Sequence, residues 1–534
     1  MSLKIPAKKA QARAHAARSL TPLDESPATQ GVGISIVATG APPPVTTPQY
    51  TFDLSTCTTT GATPCTANAD GSRTYTIATP LVPIGTYVVQ IATWDAAPVA
   101  GSFAAAHELS EGAATVSIAQ VNSTVNVALN GIPASVVITP IPGQSHVITQ
   151  GNGAYSLIGN STTLWSVAAL DHDGYIIAGD AQPMMTFTDS ANALSVSSSS
   201  GSVYAIKALS AQPTAVTLAV TATAATAAGN VVATGGESIL PMQEMWQTEN
   251  GAGIFGFMLD PNNAQQGAYR PPGFGQFPNA SDIITSTDNF GQLTQDADGN
   301  LWVEDLTTNK LVEYKAPVGS TPPQPTGVSI DISGITAGGV AADSNGYLYI
   351  VDSKRAMLLV YTINSLANPY TVSLNPGAAS ISVVPSGSGV PSGLPGTLVI
   401  GSGDGVDLYS NAVNGAPALI KSFPPAYGNG GGTYAAAVAP DTGTMWTMEL
   451  DSSGTIIGLY STASGPSITS LGISLGSWSD DAGYIAPAIA DYAFTSDGTN
   501  GNSDEMYNYV SPSITHQASF SFNGSSSYGV LVEP

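Results

Sequence analysis

GQLTQDADGNLWVEDLTTNKLVEY, residues 291–314, decides the fold. The turn Asp296–Asn300 leads into a strand that opens with the pair Leu301-Trp302, and a second strand ends on Tyr314. The arrangement recurs at 338–361, with the turn DSNG at 343–346, the pair Leu348-Tyr349 and a strand ending on Tyr361. Met245-Trp246, Leu398-Val399, Met445-Trp446 and Met506-Tyr507 continue the series. The second members are spaced by 56, 47, 50, 47 and 61 residues, and the strands that follow the remaining pairs end on Phe257, Tyr409, Tyr460 and Phe522. Six occurrences at a period near that of a four-stranded unit predict a six-bladed β-propeller over 236–534. A single twisted sheet cannot bury both faces, so each blade must cover its neighbour. The last segment, SSYGVLVEP, is expected to complete the blade begun near residue 240 and so remove a free edge.

Upstream, short segments with period-two alternation are separated by Gly, Pro, Asn and Asp. GVGISIVATG, QYTFDL, RTYTIATPL, GTYVVQIATWD and AATVSIAQ predict a first β-sandwich over 1–130, opened by the strand SLKIPA. ASVVITPIPG, TTLWSVAALDHDGYIIAG, MMTFTD, GSVYAIKALS and AVTLAVTATAA predict a second over 131–235. The fold class is therefore all-β.

Composition supports this. Charged residues are 9% of the chain, so the polar surface must come from Ser, Thr, Asn, Gln and Gly, while 57 Gly and 38 Pro supply turns. The net charge is −24, and five of the 13 basic residues (Lys4, Lys8, Lys9, Arg13, Arg18) lie in the first 18 positions, where they read as a solvated arm. The remaining body repels nucleic acid and anionic membranes, which excludes both as partners. No apolar run is long enough for a membrane-spanning helix. No signal peptide is present, and the reading is that an export signal has been removed ahead of Met1. Cys57 and Cys65 bracket TTTGATP and are expected to close a hairpin loop as a disulfide, which implies an oxidising compartment.

The repeat at 291–314 and 338–361 resembles NHL-type and gluconolactonase-like propellers, a superfamily that also contains streptogramin lyases. The segments LNGIPASVVITP and WSVAALDHDGYIIAGDAQPMMTFTDS resemble bacterial Ig-like modules. The first resemblance implies a channel cation held by Glu, Asn and Asp in the hydrolases, and His, Glu and metal in the lyases. Here the propeller region has one histidine, His516, which departs from the lyase pattern. Four acids recur three positions after the pair, Glu249, Asp305, Asp352 and Glu449, with Ser402 and Val510 at the other two positions. They read either as a cation-binding ring or as caps of the next turn. Asp171 and Asp173 hold a D-x-D-G turn, and read either as calcium ligands or as a tight turn in which Asp caps its own backbone. In the loop 267–282, Tyr269, Arg270, Phe274 and Phe277 read either as a docking surface or as a plug of the propeller mouth. No G-x-S-x-G elbow or phosphate-binding glycine loop occurs in a strand-to-helix context.

The expected function is a non-enzymatic extracellular or cell-surface protein. Its propeller binds a protein, a surface polymer or another copy of itself, and the sandwiches act as spacers. The rival expectations are a subunit of a self-assembling surface structure and a metal-dependent, lactonase-like hydrolase or lyase. No cofactor is expected, calcium being the only candidate ion.

Overall fold

In a computed structural model, the described residues are 2–5 and 26–532, apart from 39–46, 62, 80, 119–126, 145, 150–152, 160, 178–181, 210, 213, 227–228, 250, 260–282, 316–322, 387–388, 414, 428–431, 452–453, 479–481, 488–491, 498–503, 511–512 and 521–526. They form strands, turns and no helix. Most of the basic N-terminal arm and the whole of 267–282, with Tyr269, Arg270, Phe274 and Phe277, lie outside the described residues.

The first module contains β1 (Ser2–Ile5), β2 (Gly31–Val37), β3 (Tyr50–Asp53), β4 (Cys65–Ala67), β5 (Arg73–Thr76), β6 (Gly85–Trp94), β7 (Glu108–Ile118) and β8 (Asn130–Gly131). They make a sheet of order β3-β2-β6-β7-β8 and a smaller one of order β1-β5-β4. Alternate residues of both sheets (Leu3, Ile5, Val32, Ile34, Tyr75, Ile91) share one core. The Cys57–Cys65 disulfide is present. It does not close a hairpin, however, because β3 belongs to the larger sheet and β4 to the smaller. The bridge fixes the crossover between the sheets, and Tyr75 Oη reinforces it by donating to the Leu54 carbonyl at 2.7 Å.

The second module contains β9 (Ser135–Pro140), β10 (Val147–Thr149), β11 (Tyr155–Ile158), β12 (Thr162–Leu170), β13 (Met184–Asp189), β14 (Leu194–Ser200), β15 (Val203–Ala208), β16 (Val216–Thr226) and the long β17 (Gly229–Glu249). The orders β14-β15-β12-β9 and β10-β11-β17-β16-β13 face each other across a core centred on Trp165, Val167, Ile206 and Val220. At Gly235 a Cβ would sit 2.4 Å from the Val136 carbonyl oxygen, so glycine permits the close approach of β17 to β9.

β17 does not stop at the module's edge. Residues 229–239 pair with β16 and residues 239–242 with β11. Residues 243–249 then pair on one side with β18 (Gly253–Leu259), and residues 245–249 on the other with the chain's final strand. The boundary expected at 235/236 therefore falls inside one continuous strand.

After β18 come β19 (Ile283–Thr285) and five four-stranded antiparallel sheets. These are β20 to β23 (Phe290–Gln295, Leu301–Asp305, Lys310–Tyr314, Pro325–Asp331) and β24 to β27 (Ala337–Ala342, Tyr347–Asp352, Met357–Thr362, Ser365–Ser373). Next are β28 to β31 (Ser380–Val383, Leu398–Ser402, Gly405–Tyr409, Leu419–Phe423) and β32 to β35 (Thr433–Val438, Thr444–Asp451, Gly454–Ser461, Thr469–Trp478). The last are β36 to β39 (Ala482–Pro487, Tyr492–Asp497, Asp504–Val510, Ser513–Phe520). The final strand, β40 (Ser527–Val532), pairs with β17 on the side away from β18. The first strands β20, β24, β28, β32 and β36 neighbour one another in sequence, and β40 lies between β36 and β20. The sheets are thus blades of a β-propeller, and β40 is the inner strand of the blade that contains the end of β17.

Register corrects the repeat alignment at one place. Leu301, Leu348, Leu398 and Met445 lie on second strands, opposite Tyr314, Tyr361, Tyr409 and Tyr460 on third strands. Met245 faces Phe257 in the same way. Tyr507, however, is on the third strand β38 and faces Ala493. The last second-strand pair is therefore Ala493-Phe494, 48 residues after Trp446, and the spacing of 61 came from mistaking a third strand for a second. Three positions on from Phe494 stands Asp497, so the acid of that blade is Asp497 and not Val510.

Two turns show how the repeat is held. Asp296 Oδ1 accepts the amides of Asp298 and Asn300 at 3.0 and 2.9 Å, and its Oδ2 accepts Trp302 Nε1 at 3.1 Å. Asp343 accepts the amides of Asn345 and Tyr347 at 2.9 and 3.0 Å, and Tyr349 Oη at 2.7 Å. Each buried carboxylate organises the turn while also anchoring the polar tip of the aromatic that packs between blades. We expect Asp296→Ala to leave several buried donors unpaired and to cost about 2–4 kcal/mol in a denaturant melt. The exposed neighbour change Asp298→Ala should cost under about 0.5 kcal/mol.

Candidate functional site

The inner strands of a propeller line its axis. Here β20, β24, β28, β32, β36 and β40 all contribute to a cavity of about 450 Å³ at the end of the molecule where the aspartate turns lie. Lys207 and Leu209, from the end of β15 and just after it, also line it. Lys207 Nζ donates to the Ala297 carbonyl at 3.2 Å, which holds the second module over this mouth.

Inner strands of adjacent blades are joined by side chains that reach across to main chain. Gln292 Nε2 donates to the Gly338 carbonyl at 2.6 Å, and its Oε1 accepts the Val340 amide at 3.0 Å. Thr294 Oγ1 accepts the Ala342 amide at 3.1 Å, and Ser382 Oγ donates to the Ala436 carbonyl at 2.8 Å. Tyr349 Oη, already bonded to Asp343, accepts the Ala412 amide at 3.1 Å. The bulge in β20 leaves the Gln292 amide directed at Glu304 Oε2, 3.3 Å away. Burial pushes the Glu304 carboxyl up from its ordinary value, opposed by that amide. Tyr484, on β36, donates to Gly338 at 3.4 Å, and its phenol is pushed up by burial first and by the Glu304 charge second. Gln292 and Tyr484 lie on the channel wall, and the buried Glu304 on the adjoining second strand accepts the Gln292 amide. Sequence reading missed this group, because Glu304 and Tyr484 stand 180 positions apart and meet only through the fold.

The repeated acids are each bonded within their own surroundings. Asp305 accepts the amides of Thr307 and Thr308 at 2.9 and 3.1 Å and the Thr308 hydroxyl at 2.6 Å. Asp352 accepts the Arg355 amide at 3.3 Å and its guanidinium at 2.6 Å. Burial raises its pKa, but the Arg355 bonds and charge together outweigh this and hold the carboxyl below the usual range. Glu449 accepts the Tyr427 amide at 2.8 Å and the hydroxyls of Tyr460 and Thr447. Glu249 is placed by backbone pairing to Gly253 and Ser527. Asp171 Oδ1 accepts the amides of Asp173 and Tyr175 at 3.0 and 2.8 Å, the same turn geometry as at Asp296 and Asp343. Its pKa is raised, burial outweighing the bond from Ser26. Asp173 is exposed beside it.

Among the described residues, one group of three His, Cys, Asp or Glu side chains has ligand atoms all within 4.8 Å of one another: Asp95, His107 and His172. None of the acids considered in the sequence belongs to it.

No protein-family model matches the chain, and no curated protein matches it. Similar solved structures include a chain of a nidogen/laminin complex, at 11% identity and a TM-score of 0.39 over 55% of this chain and 98% of that one. A protein from Lactobacillus plantarum is 14% identical, with a TM-score of 0.36 over 52% and 82%. AztD from Citrobacter koseri is 11% identical, with a TM-score of 0.31 over 55% and 97%.

The raised Glu304 carboxyl gives a pH test. Below its ordinary value of 4.5, folded and unfolded chains both carry the proton. Above 4.5 the unfolded chain loses it first, so stability falls as pH rises towards the folded value. Glu304→Gln, which does not titrate, should therefore unfold at higher denaturant than the parent at pH 8 and at nearly the same denaturant at pH 4. An equal difference at both pH values would contradict the assignment.

Proposed function

We propose that the chain is a non-enzymatic binding or structural protein exposed outside the cell. Two Ig-like β-sandwiches (1–130 and 131–235) hold out a six-bladed, NHL-like propeller (236–534) as its interaction platform. The observation that carries this reading is β17, one strand shared by the second module and the propeller. A hinge between domains needs a few residues free to change their backbone angles. A continuous hydrogen-bonded strand supplies none, and Lys207 adds a second tie at the channel mouth. Such a joint suits a spacer that presents a binding surface at fixed orientation.

The Cys57–Cys65 disulfide fits an oxidising compartment. No helix among the described residues is long and apolar enough to cross a membrane. Partner classes that suit the sparsely charged, hydroxyl-rich surface are a protein or a surface polymer. The bonds made by Asp305, Asp352 and Glu449 to their own turns and tyrosines favour the capping role over a shared channel cation.

A second reading, self-assembly into a surface structure, is favoured by the blade rims. Val328, Tyr370, Leu419, Ile420 and Leu471 are exposed on the outermost strands β23, β27, β31 and β35. Apolar side chains on unpaired strand edges promote association between copies. Sedimentation velocity over a hundredfold concentration range separates the two. A monomer that binds a surface protein or polymer saturably supports the platform. Concentration-dependent assembly abolished by Leu419→Lys with Ile420→Lys supports self-assembly. Metal-dependent turnover of a lactone would overturn both.

A further inference from the structure

We propose that Asp95, His107 and His172 form a binding site for a divalent transition metal of the zinc class, and that the ion clamps the first module to the second. The three side chains come from two modules with separate cores. Asp95 follows β6 and His107 precedes β7, whereas His172 sits in the turn after β12. Sequence spacing could not reveal this set, because 65 residues separate the two histidines.

Both halves of the site are held by the fold before any ion binds. On the first module, the Asp95 amide donates to the His107 carbonyl at 3.1 Å and the His107 amide donates to Asp95 Oδ1 at 2.8 Å. Asp95 Oδ2 lies 2.7 Å from His107 Nδ1. On the second module, the amides bonded to Asp171 fix the turn, and Gly174 completes it at a φ of 82°. The modules are docked beside the site. The Ile132 amide donates to the Leu109 carbonyl of the first module, and two residues on the Ala134 amide donates to the Leu170 carbonyl within the second, both at 2.8 Å. At Gly131 a Cβ would come within 2.3 Å of Ile177, so only glycine allows this approach.

The two imidazoles end stacked, with ring centroids 3.2 Å apart and planes 8° apart. Two exposed imidazoles gain little from so close a face-to-face approach. The stack nevertheless brings a ring of each module to one place, with the ligand atoms of Asp95, His107 and His172 within 4.8 Å of one another. Two imidazole nitrogens and one carboxylate oxygen are donors that zinc, cobalt and nickel accept. Ring nitrogens present their lone pairs in the ring plane, so binding requires His172, which is exposed, to tilt out of the stack. Three protein ligands leave a fourth position for water.

The test uses tag-free, disulfide-bonded full-length chain. Co(II) titration should give the visible absorption of a nitrogen- and oxygen-ligated ion at one equivalent, and Zn(II) should displace it. His107→Ala and His172→Ala should each weaken binding by roughly 100-fold or more, since even outer-shell changes cost 10–100-fold. Zn(II) should raise the melting temperature of the parent and not that of His172→Asn, whose exposed side chain the fold does not need. Absence of Co(II) binding at millimolar ion, or binding unchanged by both histidine variants, overturns the site. Binding by the parent with no rise in melting temperature overturns the clamp.

Discussion

Everything in this molecule is arranged around the hydrogen bonding of β17. A strand has two edges, and along 21 residues this one spends them on different partners: β16 and β11 first, then β18 and β40. The first half completes the sheet of the second module. The second half starts a blade and receives the strand that ends the chain. Closing the ring in this way joins residues nearly 300 positions apart, and the entropy of that closure must be offset by burial. Met245 and Trp246, both fully buried at the joint, supply part of the offset.

The blades repeat a simple solution. A second-strand Leu or Met lies opposite a third-strand aromatic, and the aromatic beside it packs against the next blade. In two blades the aspartate of the preceding turn receives the polar tip of that aromatic, Trp302 in one and Tyr349 in the other. Val399 needs no such partner, and its strand follows the sequence PSGLPG and not an aspartate turn. Tyr460 instead bonds Glu449 and Ala426, so the third-strand aromatic can take over the anchoring role.

This economy explains what could and could not be read from the residues. The period, the all-β class, the opening strand Ser2–Ile5 and the cysteine pairing were legible, because alternation and spacing are local. The last blade was misaligned because Met506-Tyr507 has the same chemistry as a second-strand pair while standing on a third strand. The sharing of one strand between the second module and the propeller could not be read, because period-two alternation continues through Gly229–Glu249 and says nothing about which sheet each half joins. Glu304 and Tyr484, 180 positions apart, come within electrostatic reach only when the blades that carry β21 and β36 close around one axis, and Asp95, His107 and His172 come together only when two modules dock. Side chains brought together by tertiary packing leave no spacing to read.

Amide hydrogen exchange tests the central claim most directly, by comparing the full-length chain with one that ends before Ser527. If β17 couples module and propeller, removing β40 should strip protection from residues 243–249, from β18 and from the facing inner strand β20, and should lower it along 229–242. Protection of 229–249 unchanged by the loss of β40 would contradict the account.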